Sequence, residues 1–218
     1  MWKKVKKNIW RVLNFLGIGA YVQLFLRSYL KEIGWARSYH CKQSVDAQGQ
    51  AIPWFTYSFI HFLEKRLQNT FDVFEYGCGS STVWFAQRVN SIDAVESDLK
   101  WFEKIQKILP PNAKLLFFEV QENENGNYAK AITQMQKYYD LVIVDGKDRN
   151  NCIKNAQAYL KPDGVLILDN SDRPDYQEGI NFMLEKGYKK IDFIGMVPVV
   201  ALRSATSVFY KTENCLGI

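Results

Sequence analysis

From residue 71 onward the chain alternates short apolar runs with longer segments whose apolar residues recur at helical spacing. Strands and helices that alternate in this way are typical of a parallel sheet covered by helices. The pattern predicts one doubly wound α/β domain closed by a pair of terminal strands. The predicted strands are 71–76, 91–96, 115–120, 141–145, 165–169, 188–195 and 207–211, and the predicted helices are 52–67, 82–89, 98–109, 129–138, 151–160 and 176–186.

The N-terminal part of the chain follows a different pattern, with lysines interleaved among apolar residues. It predicts a basic amphipathic helical extension over residues 1–50, followed by the α/β domain over 51–218. The uncharged run Val12–Leu26 is 15 residues long, below the ~20 that a membrane-spanning helix requires. Two interpretations stay open. Residues 1–30 lie on a membrane surface or against a protein partner, or they pack on the domain with their lysines in water.

The net charge of +5 is unevenly distributed. Residues 1–37 contain eight Lys and Arg residues and one acid, a net of +7, which leaves −2 for residues 38–218. An acidic body is a poor platform for nucleic acid, so we expect no nucleic-acid partner. Attraction to anionic surfaces belongs to the N-terminal extension alone.

The 218 residues are 47% hydrophobic and 15% aromatic, which suffices for a substantial core and excludes a largely disordered chain. The four cysteines are scattered without a C-x-x-C pair, which excludes a zinc ribbon and argues against a disulfide framework. We therefore expect a cytoplasmic protein, with peripheral membrane association as a further expectation. The only histidines, His40 and His61, leave little room for a histidine-based triad. The sequence does not indicate an oligomeric state.

The most informative motif lies where the first predicted strand ends. Glu75-Tyr76-Gly77-Cys78-Gly79 precedes Ser80-Ser81-Thr82, and two glycines so placed let a ligand approach the backbone closely. A dinucleotide site would have a third glycine where Thr82 stands. The Glu75 carboxylate would repel a pyrophosphate but suits an ammonium or sulfonium group. Glu96 ends the second strand, where a carboxylate can accept both hydroxyls of a ribose.

With Asp93–Glu96, Tyr139–Gly146 and Leu160–Leu166, this motif resembles the class I, Rossmann-like S-adenosylmethionine-dependent methyltransferases over residues 70–212. The resemblance implies a three-layer fold with a mostly parallel seven-stranded sheet and an antiparallel terminal strand. It also implies S-adenosylmethionine as cofactor, with its methionine moiety at the glycine motif and its adenine near the end of the third strand. The implied cofactor-binding residues are Glu75, Gly77, Cys78, Gly79, Ser80, Ser81, Glu96, Ser97, Glu119, Val120 and Asp145.

The ends of strands four and five partly resemble the catechol- and caffeoyl-CoA-type O-methyltransferases. There an aspartate and an Asp-Asn pair bind a divalent cation, which implies a Mg²⁺ or Mn²⁺ site at Asp145, Asp169 and Asn170. The resemblance implies Asp145 and Lys147 as catalytic residues, with the lysine as base. Lys147 lies one residue before the position where those families usually have the lysine. In this chain Asp148 occupies that position. The alternative is that Asp145 contacts only the cofactor and Asp169-Asn170 merely ends a strand.

Two polar or aromatic stretches are candidates for the acceptor site. The run after strand five, which includes Asn170 and Arg173, is too polar for the core and suits a hydroxyl-rich acceptor such as a sugar. Trp54, Thr56 and Tyr57 could form a lid with stacking surfaces, or could simply pack beneath a helix start. Both stretches resemble uncharacterised bacterial methyltransferases.

These observations together predict an S-adenosylmethionine-dependent methyltransferase that acts on a hydroxyl of a sugar or other small molecule. One alternative is a nicotinamide-dependent oxidoreductase, which the missing third glycine and Glu75 oppose. Another is a cofactor-binding scaffold without catalysis, recruited to a membrane through residues 1–30. The absence of an N/D-P-P-[YF] motif after strand four adds to the argument against a nucleic-acid methyltransferase.

Overall fold

The structure is a computed structural model that describes residues 2–120 and 124–218. Seven strands form one sheet. They are β1 (Asp72–Tyr76), β2 (Ser91–Glu96), β3 (Ala113–Phe117), β4 (Tyr139–Val144), β5 (Leu160–Asp169), β6 (Lys189–Met196) and β7 (Arg203–Tyr210). Their order across the sheet is β3-β2-β1-β4-β5-β7-β6.

The order in which successive strands are added to the sheet reverses between β1 and β4. β1 pairs in parallel with β2 on one side and with β4 on the other, so a crevice opens between the carboxyl ends of β1 and β4. β7 lies between β5 and β6 and is antiparallel to both. The predicted seven-stranded, mostly parallel sheet with an antiparallel last strand is confirmed.

The helices before the sheet are α1 (Trp2–Phe15), α2 (Gly19–Leu26), α3 (Tyr29–Glu32), α4 (Trp35–Cys41) and α5 (Tyr57–Glu64). Those between the strands are α6 (Ser80–Ala86), α7 (Leu99–Gln106), α8 (Arg149–Gln157) and α9 (Gln177–Glu185). Two short 3₁₀ helices cover Ala131–Met135 and Pro174–Tyr176.

Alternation along β4 produces two cores, one on each face of the sheet. Val142 and Val144 pack with α8 and α9, whereas Leu141 and Ile143 pack with α5 and α6. All six residues of β4 are buried, as expected for a strand covered on both faces. The two cores fix the carboxyl ends of the strands in place. The loops that follow the strands are therefore held in defined positions.

At the amino end of the sheet, two aspartates share two lysines. Lys137 Nζ lies 2.9 Å from Asp72, and Lys161 Nζ lies 2.7 Å from Asp140 and 3.5 Å from Asp72. Burial acts to raise the pKa of Asp72, but hydrogen bonds from Lys137, Asn90 and other partners outweigh it and lower that pKa to about 2. The acids at this edge are therefore compensated within the protein.

Several element boundaries differ from the predicted ones. The predicted helix 129–138 is only the 3₁₀ turn Ala131–Met135, which ends where Gln136 takes a left-handed conformation with φ +50°. Strand β5 begins at Leu160, five residues earlier than predicted, and its pairing with β4 shifts register between Tyr139 and Leu141. Strand β3 ends at Phe117 because its pairing partner β2 ends at Glu96.

The predicted helix 52–67 begins only at Tyr57. Just before it, the Thr56 amide donates to the side-chain oxygen of Thr206 at 3.2 Å and its hydroxyl donates to the Phe193 carbonyl at 3.1 Å. These bonds hold the backbone against β6 and β7 and keep it out of the helix. Strand β7 begins four residues earlier than predicted, because Arg203 already pairs with Met196 of β6.

The N-terminal helices are joined to the sheet through α4. Trp35 Nε1 donates to the Val200 carbonyl at 3.0 Å, and the Val199 amide donates to Ser38 Oγ at 2.9 Å. By contrast, no residue of α1 is buried, so the interpretation in which this helix packs on the domain is not supported. No helix within residues 2–120 and 124–218 is long and apolar enough to cross a bilayer.

Candidate functional site

The glycine loop after β1 touches the loop after β4. Gly77 has φ +87°, and a Cβ placed on it would lie 2.9 Å from both N and Cα of Gly146. Its amide donates to the Val95 carbonyl at 2.9 Å. A side chain at position 77 would therefore face both an unfavourable backbone conformation and a backbone clash. Glycine here brings the ends of β1 and β4 together in the crevice.

Glu75 is completely buried beneath this loop. Its Oε2 accepts the Thr82 hydroxyl at 2.5 Å, but among the described residues its Oε1 has no hydrogen-bond partner. Burial raises the pKa of Glu75 to about 8, the Ser81 and Thr82 hydroxyls oppose the rise, and the carboxylates of Asp145 and Glu96 add to it. A buried acceptor without a partner is costly in a native fold, and three converging carboxyls favour a cationic ligand beside Oε1.

Glu96 holds the ends of β1 and β2 together. Its carboxylate accepts the backbone amides of Cys78 at 3.1 Å, Ser97 at 2.6 Å and Asp98 at 2.9 Å. A carboxylate has about four acceptor positions, so capacity remains for a ligand hydroxyl. The side chain is 8% exposed.

Trp101 lies against the glycine loop, which the sequence analysis missed. Its Nε1 donates to the Cys78 carbonyl at 2.7 Å, and its ring lies 3.8 Å from where a Cβ on Gly79 would stand. The indole is 38% exposed and so offers a partly open aromatic face beside the loop. The sequence did contain one signal for this position. Asp98 is a typical helix N-cap residue, and it caps α7 by accepting the Trp101 amide, which places Trp101 in the first turn of that helix.

Arg149 connects the carboxyl ends of β4 and β5, and it too was missed. Its guanidinium donates to the main-chain carbonyls of Asp145, Gly146 and Asp169 and to the Asp145 carboxylate. The side chain is 7% exposed and lies over the ring of Tyr176. Asp145 lies in the loop before α8, which begins at Arg149, so the i,i+4 spacing that pairs charges along a helix gave no signal for this ion pair. The three carbonyl contacts could not be read from spacing.

The two aspartates at these strand ends influence each other. Burial raises the pKa of Asp145, while the charges of Arg149 and Arg173 oppose the rise. Burial and the neighbouring Asp145 charge both raise the pKa of Asp169. Asp145 is the more open of the two, with 24% of its side chain exposed against 2% for Asp169. Of the pair, Asp145 is therefore the one a ligand can reach.

The predicted divalent cation site is not supported. Asp145 pairs with Arg149 at 2.9 Å, Asp169 accepts the Thr206 hydroxyl at 2.7 Å, and the Asn170 amide donates to Ser204 at 3.1 Å. Within the described residues, no group of three or more His, Cys, Asp or Glu side chains is placed to hold a metal ion. The guanidinium of Arg149 supplies the positive charge that the prediction assigned to a cation.

The remaining predicted cofactor residues surround the glycine loop and the ends of β2 and β3. Ser81 is buried and Ser80 and Ser97 are half-buried. Glu119 is exposed and Val120 half-buried, both beyond the end of β3. Lys147, the predicted base, is exposed and lies two residues before Arg149. These residues lie around the glycine loop and the carboxyl ends of the strands.

The predicted acceptor residues are divided between two places. Thr56 reaches Thr206, which in turn bonds Asp169, so the 52–57 segment lies at the end of β5. Asn170 follows Asp169 directly, and exposed Arg173 is near enough to Asp145 to lower its pKa. Trp54 is 46% exposed. Tyr57 instead lines a cavity of about 270 Å³ formed by residues of 29–64 and 84–88, on the α5 and α6 side.

Comparison with known sequences gives one short match. No protein-family model matches the chain. The polyamine aminopropyltransferase of Prochlorococcus marinus (strain NATL1A) is 31% identical over 105 residues, which cover 42% of this chain and 36% of that protein. The chain thus matches about a third of the length of this curated relative.

Solved structures show the fold. The precorrin-6y C5,15-methyltransferase of Geobacter metallireducens has a TM-score of 0.54 at 17% identity, over 69% of this chain and 86% of that one. The precorrin 8w decarboxylase of Methanobacterium thermoautotrophicum has a TM-score of 0.51 at 15% identity, over 71% and 87%. A putative methyltransferase from Streptococcus mutans, in complex with SAH, has a TM-score of 0.51 at 11% identity, over 69% and 94%. The predicted class I methyltransferase fold is confirmed.

Proposed function

We propose that this chain, which has the class I methyltransferase fold, is an S-adenosylmethionine-dependent methyltransferase acting on a hydroxyl oxygen of a sugar or other small molecule. The observation that carries the proposal is the Oε1 of buried Glu75, which lies near Glu96 and Asp145 and has no hydrogen-bond partner within residues 2–120 and 124–218. A positively charged methyl donor offsets this concentration of acid, whereas the pyrophosphate of a dinucleotide would be repelled.

The residues present fit this cofactor. From beneath the glycine loop, buried Glu75 would offset the charge of a cationic group of the donor. The backbone at Gly77 and Gly79 allows close approach, and Glu96 retains capacity to accept a ribose hydroxyl. Trp101 offers its partly exposed ring beside the loop. Bound here, S-adenosylmethionine supplies an electrophilic methyl group on a sulfonium. The chain's own contribution is then to place the acceptor oxygen in line.

Asp145 is our candidate for holding the acceptor hydroxyl and taking its proton. It follows β4 directly, is partly open, and is fixed in place by Arg149. Burial raises its pKa, and Arg149 keeps the side chain from turning away. Lys147 stays a second candidate for the base. Arg173 and Asn170 follow on the β5 side, where polar groups would orient a hydroxyl-rich acceptor.

Calorimetric titration of S-adenosylmethionine tests the binding step. Because burial raises the pKa of Glu75 to about 8, a cation that docks there near neutral pH displaces a proton from the carboxyl. We expect proton release, measured as a dependence of the binding heat on buffer ionisation enthalpy. Glu75→Gln should bind without this dependence, and Glu103→Gln, an exposed acid on α7, should behave like the native protein.

Tight binding of NADPH together with no heat from S-adenosylmethionine would instead establish the oxidoreductase alternative. Binding of S-adenosylmethionine without methyl transfer to any of a panel of sugars and phenols would favour the non-catalytic scaffold. Methyl transfer is followed by mass spectrometry of the acceptor, with Asp145→Asn as the variant expected to lose turnover.

A second candidate is aminopropyl transfer, which the 31% identity over 105 residues to a polyamine aminopropyltransferase favours. The site argues against a polycationic acceptor, because Arg149 already neutralises Asp145 and the charge of Arg173 lies close by. Assaying the protein for aminopropyl transfer to polyamines alongside methyl transfer separates the two candidates.

A further inference from the structure

Helix α1 carries its charges and its apolar residues on opposite sides. At helical spacing Val5, Ile9 and Val12 share one face, and these side chains are 44%, 53% and 58% exposed. No residue of α1 is buried, so this apolar face is not used by the fold of the described chain. The basic residues on the other side are Lys3, Lys4, Lys7 and Arg11.

Helix α2 extends the same exposed surface. Tyr21 and Phe25 are 69% and 74% exposed, and Gly19 sits so close to α1 that a Cβ on it would lie 1.9 Å from Oδ1 of Asn14. The two helices therefore turn tightly about each other. About half of the exposed large hydrophobic side chains in the described part of the chain lie within residues 2–26, far more than isolated surface residues would explain.

The charge of this surface selects its partner. Residues 1–27 contain six Lys and Arg residues and no acid. A second copy of the chain would bring two such basic surfaces together, and a nucleic acid would leave the apolar face in water. An anionic bilayer surface satisfies both faces at once, because headgroups attract the basic side while the apolar side chains enter the boundary with the acyl chains.

We propose that α1 and α2 form a docking surface for an anionic lipid bilayer, independently of the chemistry proposed above. The fold connects this surface to the cofactor edge. Trp35 and Ser38 of α4 bond Val200 and Val199 in the loop after β6, and this loop leaves the sheet at the same edge as Glu96 and Asp169. Docking would thus tether the carboxyl end of the sheet to the lipid surface through α4.

Co-sedimentation of the full chain with vesicles tests the proposal. We expect binding to vesicles of phosphatidylcholine mixed with phosphatidylglycerol, weak or no binding to phosphatidylcholine alone, and loss of binding as salt is raised. The combined variant Lys3→Gln, Lys4→Gln, Lys7→Gln and Arg11→Gln should weaken binding about fivefold for each charge removed. The matched control replaces four exposed lysines of the body with glutamine: Lys65, Lys100, Lys107 and Lys189.

The apolar contribution is tested separately by Ile9→Asp, with Ile108→Asp as control, since Ile108 is 59% exposed on the domain. Ile9→Asp should abolish vesicle binding and leave thermal unfolding of the domain unchanged, and the control should leave binding intact. Equal binding by the native protein and the four-glutamine N-terminal variant would overturn the proposal. So would absence of vesicle binding together with a dimer, seen by sedimentation, that Ile9→Asp dissociates.

Discussion

Nη2 of Arg149 lies 2.9 Å from both the carbonyl and the carboxylate oxygen of Asp145. One side chain thus satisfies the backbone of the β4 loop and neutralises the acid that the same loop presents to the crevice. Its remaining contacts reach Gly146 and Asp169, so the loops after β4 and β5 are fixed by a single guanidinium. The geometry of the acceptor side of the site depends on this residue.

Replacing Arg149 should therefore lower the stability of the folded protein. Arg149→Met leaves the Asp145 carboxylate without its counter-charge in a largely buried setting, and we expect the free energy of unfolding to fall by about 3–5 kcal/mol. Urea denaturation measures it. The matched control is Arg88→Met, whose partner Glu64 is 50% exposed and which should cost no more than about 1 kcal/mol. Similar costs for the two variants would contradict the role given to Arg149.

The buried carboxyl of Glu75 should impose a pH dependence on stability. Burial raises its pKa from 4.5 to about 8, so between these values the folded protein holds a proton that the unfolded chain has lost. Stability from this group is therefore present below pH 4.5 and falls as the pH rises toward 8, by at most about 1.4 kcal/mol per pH unit.

The comparison of native protein with Glu75→Gln isolates this effect, because Asp169 titrates in both. Urea denaturation at several pH values across the window should show the native protein losing stability more steeply than the variant. Parallel curves would show that Glu75 is not the group responsible.

Gly77 offers a test of loop geometry with an internal control. Both Gly77 and Gly187 have positive φ, +87° and +81°, but a Cβ on Gly77 would lie 2.9 Å from the Gly146 backbone while one on Gly187 meets nothing within 4 Å. Gly187→Ala should cost about 1–2 kcal/mol for the backbone conformation alone. Gly77→Ala should cost more by thermal unfolding and should also abolish cofactor binding by calorimetry. Retained cofactor binding in Gly77→Ala would mean that the close contact between the loops after β1 and β4 is not needed for binding.

Divalent cations should not be needed for activity. Asp145, Asp169 and Asn170 are each engaged by Arg149, Thr206 or Ser204, so we expect chelation with EDTA to leave turnover and the midpoint of thermal unfolding unchanged. If chelation abolished activity and Mg²⁺ or Mn²⁺ restored it, the predicted cation site would be supported after all.

The strands of the sheet could be predicted because each is a short apolar run in the sequence. The run that forms β4 is visible in this way, and acidic residues mark the ends of β1 and β2. The role of Arg149 was not, since three of its four acceptors are main-chain carbonyls that carry no residue-type signal. The 129–138 segment was predicted as a helix from its pattern of apolar residues, but only one 3₁₀ turn forms before Gln136 leaves the helical region.

The opposite ends of the sheet differ in how their acids are balanced. Asp72 and Asp140 are matched by Lys137 and Lys161 at the amino end, whereas within the described residues Glu75 at the carboxyl end is buried without a basic partner. Near neutral pH the Glu75 carboxyl is largely protonated, because burial raises its pKa to about 8, whereas Asp72, with a pKa of about 2, keeps its charge. Negative charge at the crevice would consequently grow as the pH rises past 8. A positively charged donor would therefore be attracted to the crevice more strongly in mildly alkaline solution.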